Sequence, residues 1–292
     1  MTSAVTNNAK AAAVIALMAA FAAFVTHAVA VTAPLYAQPQ DVPSSSYSAP
    51  PPQYAAAVER ARERVRAAVL EQNLPGVSVA VGAGGALVWA EGFGWRDIDS
   101  LTPVTPATRF HIGTAASVVT AAAVASLELT NTGTDTAADW SPEHVGEPEE
   151  NPPPFTFIRH FIFRPLGLAP ALPVPGDRAT FYVPRSDDVP RRGRRLMYMR
   201  DLACCAGTMA AYSTASDLVR VGLANGGRIN GALAGGMVMS LLTLPDSGIV
   251  VAVLSNIAHA NTSALAVKIG DAFGKPQRAI RTGPDMPRRA SR

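Results

Sequence analysis

The sequence is poor in the residues from which disulfide frameworks and metal centres are built. Its two cysteines, Cys204 and Cys205, are adjacent, so by themselves they can form neither a disulfide framework nor a metal site. The five histidines show no HExxH or other ligand spacing. We therefore expect no metal and no cofactor, and we interpret both cysteines as small, reduced, buried side chains.

Charge is also scarce. Charged residues make up 16% of the chain, and the formal excess is only +3, carried almost wholly by arginine. Such a balance does not indicate a nucleic-acid-binding protein. Arginine clusters at 191–195 and in the tail 276–292 are interpreted as solvated segments, with attraction to acidic lipid headgroups as the weaker alternative.

A long apolar run is present at the start of the chain. Residues 11–26 carry no charge, and the run continues to about Ala33. Because Ala28-Val29-Ala30 has the small-x-small form of a signal-peptidase site, residues 1–33 are predicted to be a signal peptide of an exported protein. The rival is an uncleaved signal anchor, since about 20 apolar residues cross a bilayer. A mitochondrial transit peptide is disfavoured, because such peptides use arginines that this segment lacks.

Composition predicts how the rest of the chain is divided. Residues 34–54 are rich in Pro and Ser, so we predict a linker with polyproline character, followed by a folded domain over 55–275. Within that domain, residue periodicity predicts a helix over 55–72, hairpins over 77–90 and 237–257, and a helix from Asn261 or Thr262 to Phe273. An antiparallel sheet with the terminal helices against one face would bury all of these elements.

The stretch from Thr108 to Leu129 is predicted to be the central helix. After Gly113 it is small and aliphatic on every side, which is typical of a core helix. Its first turn carries Thr114 and Ser117, three positions apart on one face, at the end where free backbone N–H groups concentrate positive charge. A hydrolase would place a nucleophile there. The local sequence alone favours the simpler interpretation that Thr114 is an N-cap.

Other titratable residues near helix starts have structural interpretations. Thr214 and Asp217 resemble a capping box with Asp in place of Glu, and we assign Tyr212 and Asp217 to packing and capping. His111 follows Phe110 in the extended approach to the central helix, so we interpret it as structural rather than as a catalytic base. Residues 130–154 have no periodicity and are predicted to be an irregular acidic loop.

Several segments, in order, resemble the serine β-lactamase and penicillin-binding-protein-like hydrolases, in particular the mitochondrial serine β-lactamase-like branch. The segments are LPGVSVAVGAGGALVWAEGFGWRD, TPVTPATRFHIGT, IFRPLGL, RATFYVPR, AAYSTASDLVRVGLA, LPDSGIVVAVLSNI and ALAVKIGDAF. Together they span most of residues 74–274. The resemblance implies an α/β (α+β) fold of the β-lactamase/transpeptidase type, an antiparallel sheet flanked by helices with a helical subdomain.

The resemblance also implies acyl transfer. A serine opening the central helix attacks an amide or ester carbonyl, the lysine of S-x-x-K helps to remove its proton, and backbone N–H groups hold the oxyanion. Here the serine position holds Thr114 and the lysine position holds Ser117. The Y-x-N motif is missing from the short segment 130–154, which stands in place of most of the helical subdomain. The H-x-G or K-x-G motif keeps only its glycine, near Ile229-Asn230-Gly231.

Two hypotheses follow. The first is a catalytically impaired or inactive relative with a binding or scaffold role, exported or membrane-anchored through residues 11–33, with a small acyl or peptide compound as its ligand. The second is an active serine or threonine hydrolase of β-lactams, D-Ala-D-Ala-like peptides or small esters that uses an unrecognised base. A decayed gene or an incorrectly assembled reading frame would leave the same pattern, which sequencing of the transcript tests.

Overall fold

A computed structural model describes residues 2–32, 34–113, 115, 177–183, 195–196, 212–225, 229–232 and 238–274. The helices are α1 (Thr2–Thr32), α2 (Ala55–Glu71), α3 (Ala215–Asn225) and α4 (Thr262–Phe273). The strands are β1 (Ser44–Ser46), β2 (Gly76–Ala83), β3 (Ala86–Asp97), β4 (Thr102–Pro103), β5 (Phe110–His111), β6 (Tyr182–Val183), β7 (Arg195–Leu196), β8 (Tyr212–Ser213), β9 (Ile229–Ala232), β10 (Val238–Leu244) and β11 (Ile249–Ser255).

Some predicted features lie outside the described residues. They are Thr114, Ser117, most of the central helix, the loop 130–154, the paired cysteines Cys204 and Cys205, the arginines at 191–194 and the tail 276–292.

The main sheet is antiparallel throughout. Its strand order is β1-β3-β2-β11-β10-β9, and β4 pairs with β3 as the seventh strand. The predicted hairpins are confirmed as β2–β3 and as β10–β11, the latter joined by a 3-10 turn at Pro245–Ser247. The predicted cap of α4 is confirmed as well, because the Asn261 side chain accepts a hydrogen bond from Ala264 N–H at 3.0 Å. The expected fold class, an antiparallel sheet flanked by helices, is confirmed.

The two faces of the sheet bury two separate apolar clusters. Helices α2 and α4 cover one face, where Val79, Val251 and Val253 point toward them. On the other face, Ala80 and Val250 pack with α3, Phe110 and Ala115. Because successive strand residues point to opposite faces, the uninterrupted apolar run of β11 supplies both clusters.

Arginines on α2 contribute hydrogen bonds that join this helix to α4. The Arg60 guanidinium donates to the Ala272 carbonyl at 2.7 Å, and Arg64 donates to the Lys268 carbonyl. A cation is favourable at the Ala272 carbonyl, because the last turn of α4 leaves this carbonyl without a helical partner. Packing of α2 against α4 is therefore polar at its edge as well as apolar at its centre.

The folded body begins earlier than the expected boundary at residue 55. Tyr36 is buried and its hydroxyl donates to the Pro75 carbonyl at 2.7 Å, while Leu35 N–H bonds to the Asn73 side chain at 2.8 Å. Strand β1 then adds to the edge of β3. The segment from Leu35 therefore packs on the folded domain, and residues 44–46 are part of its sheet. Their composition concealed this, because a strand of three serines carries no hydrophobic alternation.

Two buried phenols make the fold sensitive to alkali. Burial raises the pKa of Tyr182 to about 12 and also raises the pKa of Tyr36. Since an unfolded tyrosine loses its proton near pH 10, the folded state retains protons that the unfolded state releases. The contribution of these two phenols to the free energy of unfolding is therefore expected to be fully present up to about pH 10 and to fall between about pH 10 and 12.

Urea unfolding at a series of pH values checks this expectation, alongside an ultraviolet titration of the phenolates. Tyr182→Phe should flatten the alkaline fall, whereas Tyr47→Phe, at an exposed position, should leave it unchanged. An equal slope in all three proteins would contradict the assignment.

Candidate functional site

The approach to the central helix is built by two short strands. β5 pairs with β8, so that Phe110 lies opposite Ser213 and His111 lies opposite Tyr212. Gly113 then adopts a left-handed φ of +55°, and Ala115 N–H bonds back to the Ile112 carbonyl at 3.1 Å. The chain thus turns sharply into the helix at Gly113, and glycine suits the turn because it has no Cβ. The expected site residues Thr114 and Ser117 follow this turn and lie outside the described residues.

His111 supports the turn rather than facing a substrate. Its Nδ1 atom accepts the Gly113 N–H at 3.0 Å, and its buried ring lies edge-on to the Tyr212 ring at 4.9 Å between centroids. Because a backbone N–H can only donate, Nδ1 carries no proton in this bond, which fixes the ring as the Nε2–H tautomer. The geometry agrees with the structural interpretation of His111.

The segment 177–183 ties this approach to the main sheet. Arg109 N–H bonds to the Asp177 carbonyl at 2.8 Å, and Ala179 N–H bonds to the Arg109 carbonyl at 2.9 Å. Further along, Tyr182 N–H bonds to the Asn256 carbonyl at the end of β11. Regular strand pairing in this segment covers Tyr182–Val183. This segment therefore connects the chain before β5 to the end of β11.

Helix α3 begins beside this approach with the predicted cap. The Thr214 hydroxyl accepts the Asp217 N–H at 3.1 Å, and the Asp217 carboxylate pairs with the Arg220 guanidinium at 2.7 Å. The cap is therefore confirmed, and the Asp217 carboxylate has a structural partner. On β8, the ring of Tyr212 lies 5.0 Å from the Arg178 guanidinium.

The edge strand β9 carries the residues expected at the H-x-G or K-x-G motif, Ile229-Asn230-Gly231. Asn230 lies opposite Ser240 of β10, and Gly231 lies opposite Met239. These positions are on a strand of the sheet, as the resemblance implied. Within the described part of the chain, no group of three or more His, Cys, Asp or Glu side chains could hold a metal ion.

The sequence of the front half matches a known family. Residues 55–153 match the family model described as Beta-lactamase. This segment belongs to the β-lactamase family. It contains α2, the β2–β3 hairpin and the turn at Gly113, so the family assignment covers the approach to the central helix and the positions of Thr114 and Ser117.

Solved structures extend the likeness beyond residues 55–153, to about three quarters of the chain. EstCE1, a hydrolase with promiscuous acyltransferase activity, superposes with a TM-score of 0.53 at 14% identity, covering 74% of this chain and 98% of that chain. A class C β-lactamase gives 0.54 at 12% identity, covering 77% and 98%. The D-amino acid amidase from Ochrobactrum anthropi SV3, in complex with L-phenylalanine amide, gives 0.54 at 12% identity, covering 74% and 98%. No curated protein matches the sequence.

These likenesses establish the fold of the chain. At such low identities they carry no substrate from one protein to another. One feature of the structure had no signal in the sequence, namely a cavity lined by residues from five separate parts of the chain. Residues so far apart in sequence cannot be grouped by any local pattern.

Proposed function

We propose that this β-lactamase-family protein is a catalytically impaired or inactive relative of the serine hydrolases, with a binding or scaffold role toward a small acyl or peptide ligand. The observation that carries the proposal is Ser117, which stands where the resemblance expects the lysine of S-x-x-K. A hydroxyl cannot accept the proton of Thr114 as an amine does, so the nucleophile lacks its base.

The free energies involved support impaired catalysis. The positive end of a helix contributes on the order of 1 kcal/mol of charge stabilisation. Enzymatic rate enhancement typically needs about 8 kcal/mol or more. The helix terminus alone therefore does not replace a base for Thr114.

The described neighbours of the helix start support the same conclusion. Nδ1 of His111 accepts a hydrogen bond from the turn, and the carboxylate of Asp217 is paired with Arg220. Recruiting either group as a base would require the His111–Gly113 hydrogen bond or the Asp217–Arg220 ion pair to break.

The location is part of the proposal. Helix α1 is long and apolar enough to cross a membrane, with an uncharged stretch over Ala12–Val29, and a signal sequence passes the same test. We propose an exported or membrane-anchored protein, with residues 11–33 as the membrane-interacting segment.

Covalent labelling tests the proposal. Purified protein is incubated with a fluorescent penicillin or a fluorophosphonate, and in parallel with nitrocefin. We expect no labelled band and no turnover, because acyl transfer needs an activated alcohol.

Thr114→Ala and Ser117→Ala are the controls. Labelling that is present in the unmodified protein and in Ser117→Ala, but lost in Thr114→Ala, would establish the active hydrolase instead. Ser117→Lys supplies the missing amine, so a labelled band that appears only in this variant would support the assignment of the defect to position 117.

A further inference from the structure

A cavity of about 350 Å³ opens beside the first turn of α3, on the side of the sheet where β1 and β3 lie. Its volume lies in the lower part of the range of small-molecule sites. The lining residues come from the segment after β1, the start of β3, the turn before β5, the bend at 177 and the first turns of α3. Among the described residues of the helix approach, neither 111–113 nor Ala115 lines the cavity.

The rim of the cavity is apolar and exposed. Tyr47 is 69% exposed and Leu87 is 37% exposed, and both line the cavity. Among the described residues beyond α1, the other large hydrophobic side chains of comparable exposure are Leu101 and Val267. Two of these four therefore line the same opening, whereas Pro106, which also lines it, is buried. Exposed apolar side chains that cluster around a concave surface are typical of a binding site.

The floor of the cavity carries charge of both signs. Arg109 is only 9% exposed and Asp217 only 5% exposed, and both line the cavity. Nearer the solvent lie a second cation, Arg220, and a second anion, Asp177. Arg220 and Asp217 pair with each other at 2.7 Å, and Arg109 and Asp177 add one charge of each sign. The described lining therefore favours neither a simple anion nor a simple cation, because each would meet like charge on one side.

We propose that this cavity binds a zwitterionic small molecule with an apolar side group, of the class of a free α-amino acid with an aromatic or large aliphatic side chain. The ligand carboxylate faces the guanidinium groups, its ammonium faces Asp177, and its side chain covers Tyr47 and Leu87. Charge-assisted hydrogen bonds orient the ligand, while burial of the apolar group supplies most of the affinity. The proposal is independent of whether Thr114 has any catalytic activity.

Calorimetric titration of the full-length protein tests the proposal with four probes. Phenylalanine carries both charges and the ring, phenylalanine amide lacks the negative charge, N-acetylphenylalanine lacks the positive charge, and glycine lacks the side group. We expect phenylalanine to bind with a Kd of about 1 mM or tighter, and each of the other three to bind at least about tenfold more weakly.

Variants at exposed positions are used so that a loss of binding is not caused by a loss of folding. Ala107→Trp fills the cavity from an exposed position and should abolish phenylalanine binding, whereas Leu101→Trp, an exposed substitution outside the cavity, should leave it unchanged. Asp177→Asn should weaken the binding of phenylalanine and leave that of N-acetylphenylalanine unchanged, since only the former has an ammonium group.

Two results would overturn the proposal. One is the absence of saturable phenylalanine binding, or binding that survives Ala107→Trp, which would remove the cavity as the site. The other is N-acetylphenylalanine or the amide binding as tightly as phenylalanine, which would remove the zwitterion as the ligand class.

Discussion

Replacing Gly94 by alanine is expected to lower the free energy of unfolding by roughly 3 kcal/mol or more. Gly94 lies in the interior of β3 with a φ of +74°, a region that side chains with a Cβ rarely adopt. A Cβ at this position would lie 2.3 Å from the Pro75 carbonyl oxygen and 2.6 Å from the Tyr36 hydroxyl. Backbone cannot move aside as a flexible side chain can, so the strand itself would have to shift.

The contacts of Gly94 explain why such a shift is costly. Its N–H donates to the Pro43 carbonyl at 2.8 Å, and its carbonyl accepts the Val104 N–H at 2.9 Å. The residue therefore joins the segment before β1 and the segment after β4 to the centre of the sheet. A displaced Gly94 would weaken both connections and the Tyr36–Pro75 hydrogen bond.

Gly85→Ala is the matched control. Gly85 also has a positive φ, of +81°, but no heavy atom lies within 4 Å of its ideal Cβ position. The control should cost only the conformational strain, about 1 kcal/mol. Urea unfolding followed by circular dichroism measures both variants. Equal losses would show that the crowding around Gly94 adds nothing to the strain.

Glu91→Ala is the second substitution with a large expected effect, a loss of about 3 to 4 kcal/mol in the free energy of unfolding. Glu91 is a buried carboxylate on β3, and its Oε2 accepts the Arg62 Nε–H at 2.7 Å and the Trp89 Nε1–H at 2.9 Å. Its removal leaves a partly buried guanidinium and a buried indole N–H without this acceptor. Both groups lie at the contact between α2 and the sheet.

Glu59→Ala provides the comparison, because Glu59 pairs with the same Arg62 from a position where its side chain is 66% exposed. Exposed ion pairs contribute little, so this variant should lose less than about 1 kcal/mol. The same urea titration distinguishes the two glutamates. A loss for Glu91→Ala no greater than that for Glu59→Ala would refute the claim that burial makes this pair important.

The spacing of apolar residues predicted the central helices and strands of the fold. Composition did not predict where the folded domain and its strands begin and end. The hairpins and the helices α2 and α4 repeat apolar residues at strand or helix spacing, so their secondary structure can be predicted from the sequence. β3 extends to Asp97, beyond the expected end at Ala90. The prediction ended the strand too early because Gly92 and Gly94 interrupt the apolar pattern. Both glycines are required by neighbouring backbone, since a Cβ on Gly92 would lie 2.3 Å from the Val104 carbonyl oxygen. Close approach of this kind depends on tertiary structure and leaves no local signal.

The candidate site divides in the same way. The caps of α3 and α4 were predictable because each joins residues three positions apart, as in Thr214 with Asp217. The hydrogen bond from Gly113 to His111 is equally local, but it depends on a left-handed turn that the sequence indicates only by its glycine. The cavity beside α3 was not predictable, since Tyr47, Asp177 and Arg220 meet only after the sheet has formed.

The attachment of Leu35 to Asn73 determines how far the domain can stand from a bilayer. Between the end of α1 at Thr32 and that attachment, the chain has only Ala33 and Pro34. Three residue steps span at most about 10 Å. With α1 retained in the lipid, the protein would be confined to the lipid–water boundary and would meet only compounds that arrive there. Cleavage after Ala30 would release the same domain to diffuse through the whole compartment.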